Sequence, residues 1–88
     1  MRLILIGTWD PEHRDKIVNK RLENGRLAPQ GITVLNEWLD ATGGRTVWLI
    51  EADSSRECFK WSLHWSDMCH FEIFPVVEVQ DDLAREIT

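Results

Sequence analysis

Four side chains in the second half of the chain, Cys58, His64, Cys69 and His70, are of the types that bind transition metals. Their spacing argues against a shared ion. Structural zinc sites use tight pairs such as Cys-x-x-Cys, and no such pair occurs. Wound as a helix at about 100° per residue, the segment puts Cys58, Phe59, Ser62, Trp65 and Cys69 on one side, with Trp61 and Leu63 flanking it. His64 falls on the other side with Arg56, Lys60 and Asp67, which read as a solvated face. Cysteines on an apolar face are packing residues, and burial raises a thiol pKa, which leaves the sulfur inert. No metal site is expected. Nucleophile elbows, phosphate loops and dinucleotide fingerprints are absent as well, and no cofactor is expected.

Proton chemistry has two candidates, Glu51 and His13. If Gly43-Gly44 forms a two-residue hairpin turn, Thr42 faces Arg45 and a register follows. Asn36 then lies opposite Glu51 and Trp38 opposite Leu49, on one face with Val34 and Val47. A carboxylate beside an amide and an indole in an apolar layer resembles a polar anchor in a pocket wall. Burial there would raise the Glu51 pKa and suit it to proton transfer. The simpler reading has Glu51 ending near the strand terminus and paired with an arginine such as Arg21 or Arg26. His13 borders the core-facing stripe of the first helix, one turn before Ile17, with Arg14 and Arg21 nearby. It is read either as an acid or base at a cavity wall or as a partly exposed histidine on a thinly apolar helix. Arg21, Arg26, Asn36, Trp38 and Glu51 are thus the candidate ligand-binding residues.

The elements that position these residues follow from pattern and punctuation. Residues 2–9 form a short apolar run that reads as a strand. Asp10 and Pro11 open a helix, as capping residue and first helical position, and Asn24-Gly25 closes it. Its stripe is thin, with Ile17, Val18 and Leu22. A loop over 26–31 precedes two strands, 32–42 and 45–52, joined by Gly43-Gly44. Ser54 with Glu57 forms a capping box for a second helix running to about Asp67 or Met68. Residues 70–79 form the last strand, and Pro75 assigns it to a sheet edge. The order β-α-β-β-α-β is the ferredoxin-like arrangement. The expected fold is therefore α+β: a four-stranded antiparallel sheet with two helices on one face. The domain spans residues 1–80, and 81–88 form a short tail able to become helical.

The strands carry bulky apolar groups on both faces, at residues 3–6, 47–50 and 73–77. A sheet with one face in water alternates apolar and polar instead. Two-sided burial needs a second layer, and 88 residues do not supply one. A second copy of the chain supplies it at least cost, giving a homodimer that closes into an α/β barrel. The net charge of −5 and the scatter of the basic residues exclude a phosphate-neutralising surface, so no nucleic acid is expected. No apolar stretch approaches a membrane span of about 20 residues. The apolar start at residues 3–6 is too short for a signal core, so a cytoplasmic setting with both thiols free is expected. The five tryptophans frame an aromatic pocket or anchor the subunit interface.

Several residues resemble one family throughout most of the chain. These are Arg21, Gly25-Arg26, Pro29 and Gly31, then Glu37-Trp38, then Leu49-Ile50-Glu51-Ala52-Asp53. Trp61, Trp65-Ser66-Asp67, Phe71-Glu72 and Pro75-Val76 complete the set, and 61–76 is its most specific part. They are similar to a family of short proteins known only as a domain of unknown function and grouped with the dimeric α/β barrels. This sequence departs from that pattern at Glu37, in place of Ser, and at Trp48-Leu49, in place of Phe-Gln. The resemblance implies the same fold and a dimer. Relatives at superfamily level include cofactor-free monooxygenases, haem-degrading enzymes and small-molecule isomerases, with pockets between helices and sheet. The expected function is a small homodimeric ligand-binding or structural module. The alternative is a cofactor-free enzyme, monooxygenase- or isomerase-like, acting on a hydrophobic small molecule with Glu51 or His13 in proton transfer.

Overall fold

The computed structural model describes residues 1–80, 85 and 86. The expected helical tail over 81–88 thus lies largely outside the described residues. Strand β1 (Arg2–Thr8) leads through a short 3-10 helix (Pro11–His13) into α1 (Arg14–Asn24). Strands β2 (Ile32–Leu39) and β3 (Arg45–Ala52) follow, then α2 (Ser55–Ser62) and β4 (His70–Pro75). The strands form one antiparallel sheet in the order β2-β3-β1-β4, so β1 and β3 are central and β2 and β4 are edges. This is an α+β architecture.

Alternation along the two central strands sorts the sheet into two faces. Leu3 and Leu5 of β1 and Trp48, Ile50 and Ala52 of β3 are buried on the helix side. Ile4, Ile6, Val47 and Leu49 alternate with them and are half-buried on the opposite, open side. Cross-strand pairs keep the sorting consistent: Leu3 faces Ile50, Leu5 faces Trp48, and Ile4 faces Leu49. The core is completed from the helix side by Ile17 of α1, by Cys58 and Trp61 of α2, and by Trp9, Trp65 and Cys69 from the connections.

Three elements differ from the sequence expectation, each for a local reason. The hairpin is not a two-residue turn. Asp40 pairs with Arg45 (Asp40 N to Arg45 O, 2.8 Å), and its side chain accepts from Thr42 N at 3.1 Å while its carbonyl accepts from Gly43 N at 2.7 Å. The Asp40 side chain thus organises a four-residue loop over 41–44, with Gly43 at φ +77°, a conformation glycine adopts without strain. A Cβ at Gly43 would also stand 3.0 Å from Arg14 Cδ. Register consequently moves by two: Trp38 faces Val47 and Asn36 faces Leu49. A bulge between Val34 and Asn36 then places Thr33, not Asn36, opposite Glu51. It also turns Val34 to the helix side, opposite Ile50.

Helix α2 starts at Ser55 without the capping box. Ser54 makes no side-chain cap bond, and the Glu57 carboxylate lies 3.5 Å from Lys60. Asp10 likewise makes no side-chain cap bond, although its carbonyl accepts from His13 N at 2.9 Å. The regular part of α2 ends at Ser62, after which tight i to i−3 bonds from His64 and Trp65 carry the chain on to Met68. This tightening brings Trp65 and Cys69 into the core while Phe59 and Leu63 stay exposed, against the expectation that Phe59 shares their buried side. Strand β4 stops at Pro75 rather than 79. Val76 N donates to Arg2 O at 3.0 Å, and there the paired stretch of β1 ends.

Candidate functional site

Between the helices and the sheet lies an apolar pocket of about 300 Å³. Its origin is a mismatch of side-chain size. The sheet and the α2 side contribute Trp48, Trp61 and Trp65 to its wall, and Trp9 joins it just past the end of β1. Opposite them α1 offers only Ile17, Val18, Leu22 and the stem of Arg21. Interiors normally close-pack without voids of this size. The thin stripe of α1 leaves a half-open space along the aromatic wall.

Three of the four indole N–H groups in the wall are committed within the protein. Trp48 and Trp61 meet edge to face with ring centroids 4.6 Å apart. Trp9 Nε1 donates to Gly43 O at 2.9 Å, Trp48 Nε1 to Thr46 Oγ1 at 2.6 Å, and Trp61 Nε1 to Arg26 O at 2.8 Å. Thr46 Oγ1 in turn donates to Trp38 O at 3.0 Å. Lys20 reaches over from α1, its ammonium 4.8 Å from the Trp65 ring centre and bonded to His64 O. The walls therefore present apolar ring surface to the pocket.

Polar chemistry gathers at one place, around Glu37. Glu37 faces Trp48 across the β2–β3 ladder, so it points to the helix side, among the residues lining the pocket. Arg21 donates to it in a forked pair, Nε to Oε2 and Nη2 to Oε1, both at 2.9 Å. Arg26 adds a third bond, Nε to Oε1 at 3.0 Å. The bonds from Arg21 hold the Glu37 carboxyl below its ordinary pKa, against partial burial and with help from Arg26. The bond to Glu37 likewise raises the Arg21 guanidinium. Arg26 is pinned at both ends, since its carbonyl holds Trp61 and the next residue, Leu27, sits at φ +57°. A non-glycine residue in that region persists only where its surroundings fix it.

The candidates named from sequence divide between two places. Arg21 and Arg26 come together here. They pair with a carboxylate, as the simpler reading of Glu51 anticipated, but that carboxylate is Glu37. Glu51, Asn36 and Trp38 lie on the open face of the sheet, away from the pocket. Glu51 pairs with Arg2 Nε at 3.2 Å and with the amino terminus at 3.5 Å, and its side chain is 41% exposed. The expected burial of Glu51 beside Asn36 is thus corrected: the Asp40-organised loop and the bulge move Asn36 along the strand, and Glu51, near the end of β3 on the open face, stays in contact with water. His13 sits in the 3-10 helix, 4.0 Å from Glu12, and does not line the pocket.

Sequence reasoning missed Glu37 as a site residue. Its signal was available in the alternation of β3: with Trp48 turned inward, the residue opposite it must turn inward too. Of the cysteines, both buried and free, Cys69 lines the pocket, with its thiol pushed up to about 11 by burial. Burial raises Cys58 as well. Such thiols stay protonated and unreactive near neutrality. His64 and His70 are exposed. Among the described residues, Asp10, Glu12 and His13 bring ligand-type atoms within 4.8 Å of one another. They form a largely solvent-facing group to which no role is assigned. No described helix is long and apolar enough to cross a membrane.

Fold and site together define a small α+β domain with a tryptophan-walled pocket and one charged cluster lining it. The chain belongs to the family described as a domain of unknown function (DUF3303), whose model matches residues 1–86. No curated protein matches the chain, and no solved structure does.

Proposed function

We propose that the protein is a small-molecule binding module that works as a homodimer with a ferredoxin-like fold, the two sheets closing into an α/β barrel. The observation that carries the binding role is the pocket itself: about 300 Å³ of mostly apolar space with a tryptophan wall and a charged anchor at Arg21 and Glu37. The dimer is supported by the open face. Ile4, Ile6, Val47 and Leu49 form a continuous apolar patch there, extended by Trp38, 50% exposed, and Phe74, 37% exposed. The element order and the strand order β2-β3-β1-β4 support the fold assignment. Two buried free thiols agree with a reducing, cytoplasmic setting.

Binding is favoured over catalysis by the chemistry of the pocket. Its carboxylate is held ionised by two guanidinium groups, its thiol is protonated, and Glu51 and His13 stand elsewhere. A poised acid, base or nucleophile is therefore lacking among the described residues that line the pocket. Native mass spectrometry of freshly purified, untagged protein tests the proposal. A dimer mass carrying an additional small molecule is the expected result. A monomer would overturn the dimer. A bare dimer in which no apolar probe alters the tryptophan fluorescence would overturn the binding role.

A further inference from the structure

We propose that the pocket takes a small aromatic or alicyclic carboxylate, its apolar body against the tryptophan wall and its carboxylate on Arg21, which lines the pocket, with Arg26 beside it on the same Glu37 oxygen. This rests on the binding role proposed above and adds the charge of the ligand. The wall offers little to a polar ligand, because the indole N–H groups of Trp9, Trp48 and Trp61 already have acceptors inside the protein. Apart from those N–H groups, that of Trp65, the Thr46 and Ser62 hydroxyls and the Cys69 thiol, the polar side-chain atoms lining the pocket belong to Arg21 and Glu37, so the ligand body is mainly apolar and its charged group is met at the Glu37 cluster.

The charge of that cluster decides the sign of the head group. Two guanidinium groups share one carboxylate, so the formal balance is two positive charges against one negative, a surplus of one. Glu37 is held ionised and acts only as an acceptor. Arg21 commits its Nε and Nη2 to Glu37, whereas Arg26 commits its Nε alone. Among the described residues neither Nη group of Arg26 has a hydrogen-bond partner, and a guanidinium fork suits a planar carboxylate. A monoanion brings the cluster to neutrality. A cation would compete with two resident guanidinium groups for one carboxylate, and a neutral ligand would leave the surplus to solvent alone. The pinning of Arg26 through Trp61 and Leu27 fixes its backbone before any ligand arrives, which lowers the ordering cost of binding.

Three probes of matched shape separate the possibilities: phenylacetate, the neutral phenylacetamide and the cationic phenethylammonium. Each is titrated into the intact protein and read by tryptophan fluorescence and calorimetry. Phenylacetate is expected to bind saturably and at least about tenfold more tightly than either of the others. In Arg26→Gln, which removes one of the two guanidinium groups on Glu37, that preference should shrink severalfold; an unchanged preference would overturn the role given to Arg26. Equal or tighter binding of the amide or the cation would overturn the carboxylate assignment and leave the pocket reading standing. Silence of all three probes up to millimolar concentration would overturn both.

Discussion

The two faces of the sheet draw on the same apolar runs of β1 and β3 and reach opposite ends. On the helix side, Leu3, Leu5, Trp48 and Ile50 are buried against α2 and Ile17, and the one carboxylate that faces inward is met by three hydrogen bonds. On the open side, Ile4, Ile6, Val47 and Leu49 remain half-exposed, and the charges bordering them, Arg2 with Glu51, pair in water. The difference shows that apolar content does not decide which face is finished; the available covering does. Two short helices cover one face and leave a pocket on it, whereas the other is covered only if a second chain supplies the layer.

That contrast is broken most severely by placing a charge at the centre of the finished face. Ile50 is 0% exposed and lies between Leu3 and Val34 on the neighbouring strands. Ile50→Asp should cost more than about 4 kcal/mol and leave no cooperative melting transition. Circular dichroism on heating reads it directly. The same change on the other face should act differently. Ile6→Asp puts its carboxylate on a half-exposed position beside Val47 and Glu72. The monomer fold should survive, and dimer dissociation should become at least about tenfold easier, read by analytical ultracentrifugation across a concentration series. A dimer of unchanged strength would move the interface away from the open face.

The legibility of the sequence follows the same division. Strand edges and centres were readable because Pro75, the glycine-rich hairpin and the apolar runs each carry a local reason. Gly25, at φ +71°, ends α1 where the Asn-Gly signal placed the stop. The sequence also pointed to Arg21 and Arg26 as partners of a strand carboxylate. The alternation of β3 carried the signal for their true partner, whereas the residue opposite Glu51 was hidden by two features without a sequence signature: the Asp40 side chain that lengthens the loop, and the bulge after Val34. Each changes what faces what along β2 while leaving every strand recognisable. The pocket was hidden for a further reason. A cavity is a deficit of volume between elements, and no periodicity within one element records it.

A smaller effect tests the anchor itself through pH. The folded Glu37 carboxyl lies below its ordinary value of 4.5, mainly through the Arg21 hydrogen bonds. Its stabilising contribution is therefore complete above that value and is lost as pH falls through the lowered folded one. Glu37→Gln should flatten this part of the acid limb and cost about 1 kcal/mol at neutral pH, read from denaturant midpoints between acidic and neutral buffers. Asp40 is also lowered, by its bond from Thr42, so the difference between the wild-type and variant curves is the quantity that reports Glu37.

The smallest expected effect belongs to the corresponding carboxylate on the open face. Glu51→Gln removes a charge whose partners, Arg2 and the amino terminus, are themselves 44% and 42% exposed. Exposed pairs of this kind contribute about 0–1 kcal/mol, because water solvates both partners almost as well as they solvate each other. The variant should melt within about 0.5 kcal/mol of the wild type and leave phenylacetate binding unchanged. Two glutamates on facing strands, both ion-paired with arginine, would then differ in consequence through the face each one points to. A loss of phenylacetate binding in Glu51→Gln would mean that the sheet transmits between its faces, and the division on which the site assignment stands would have to be abandoned.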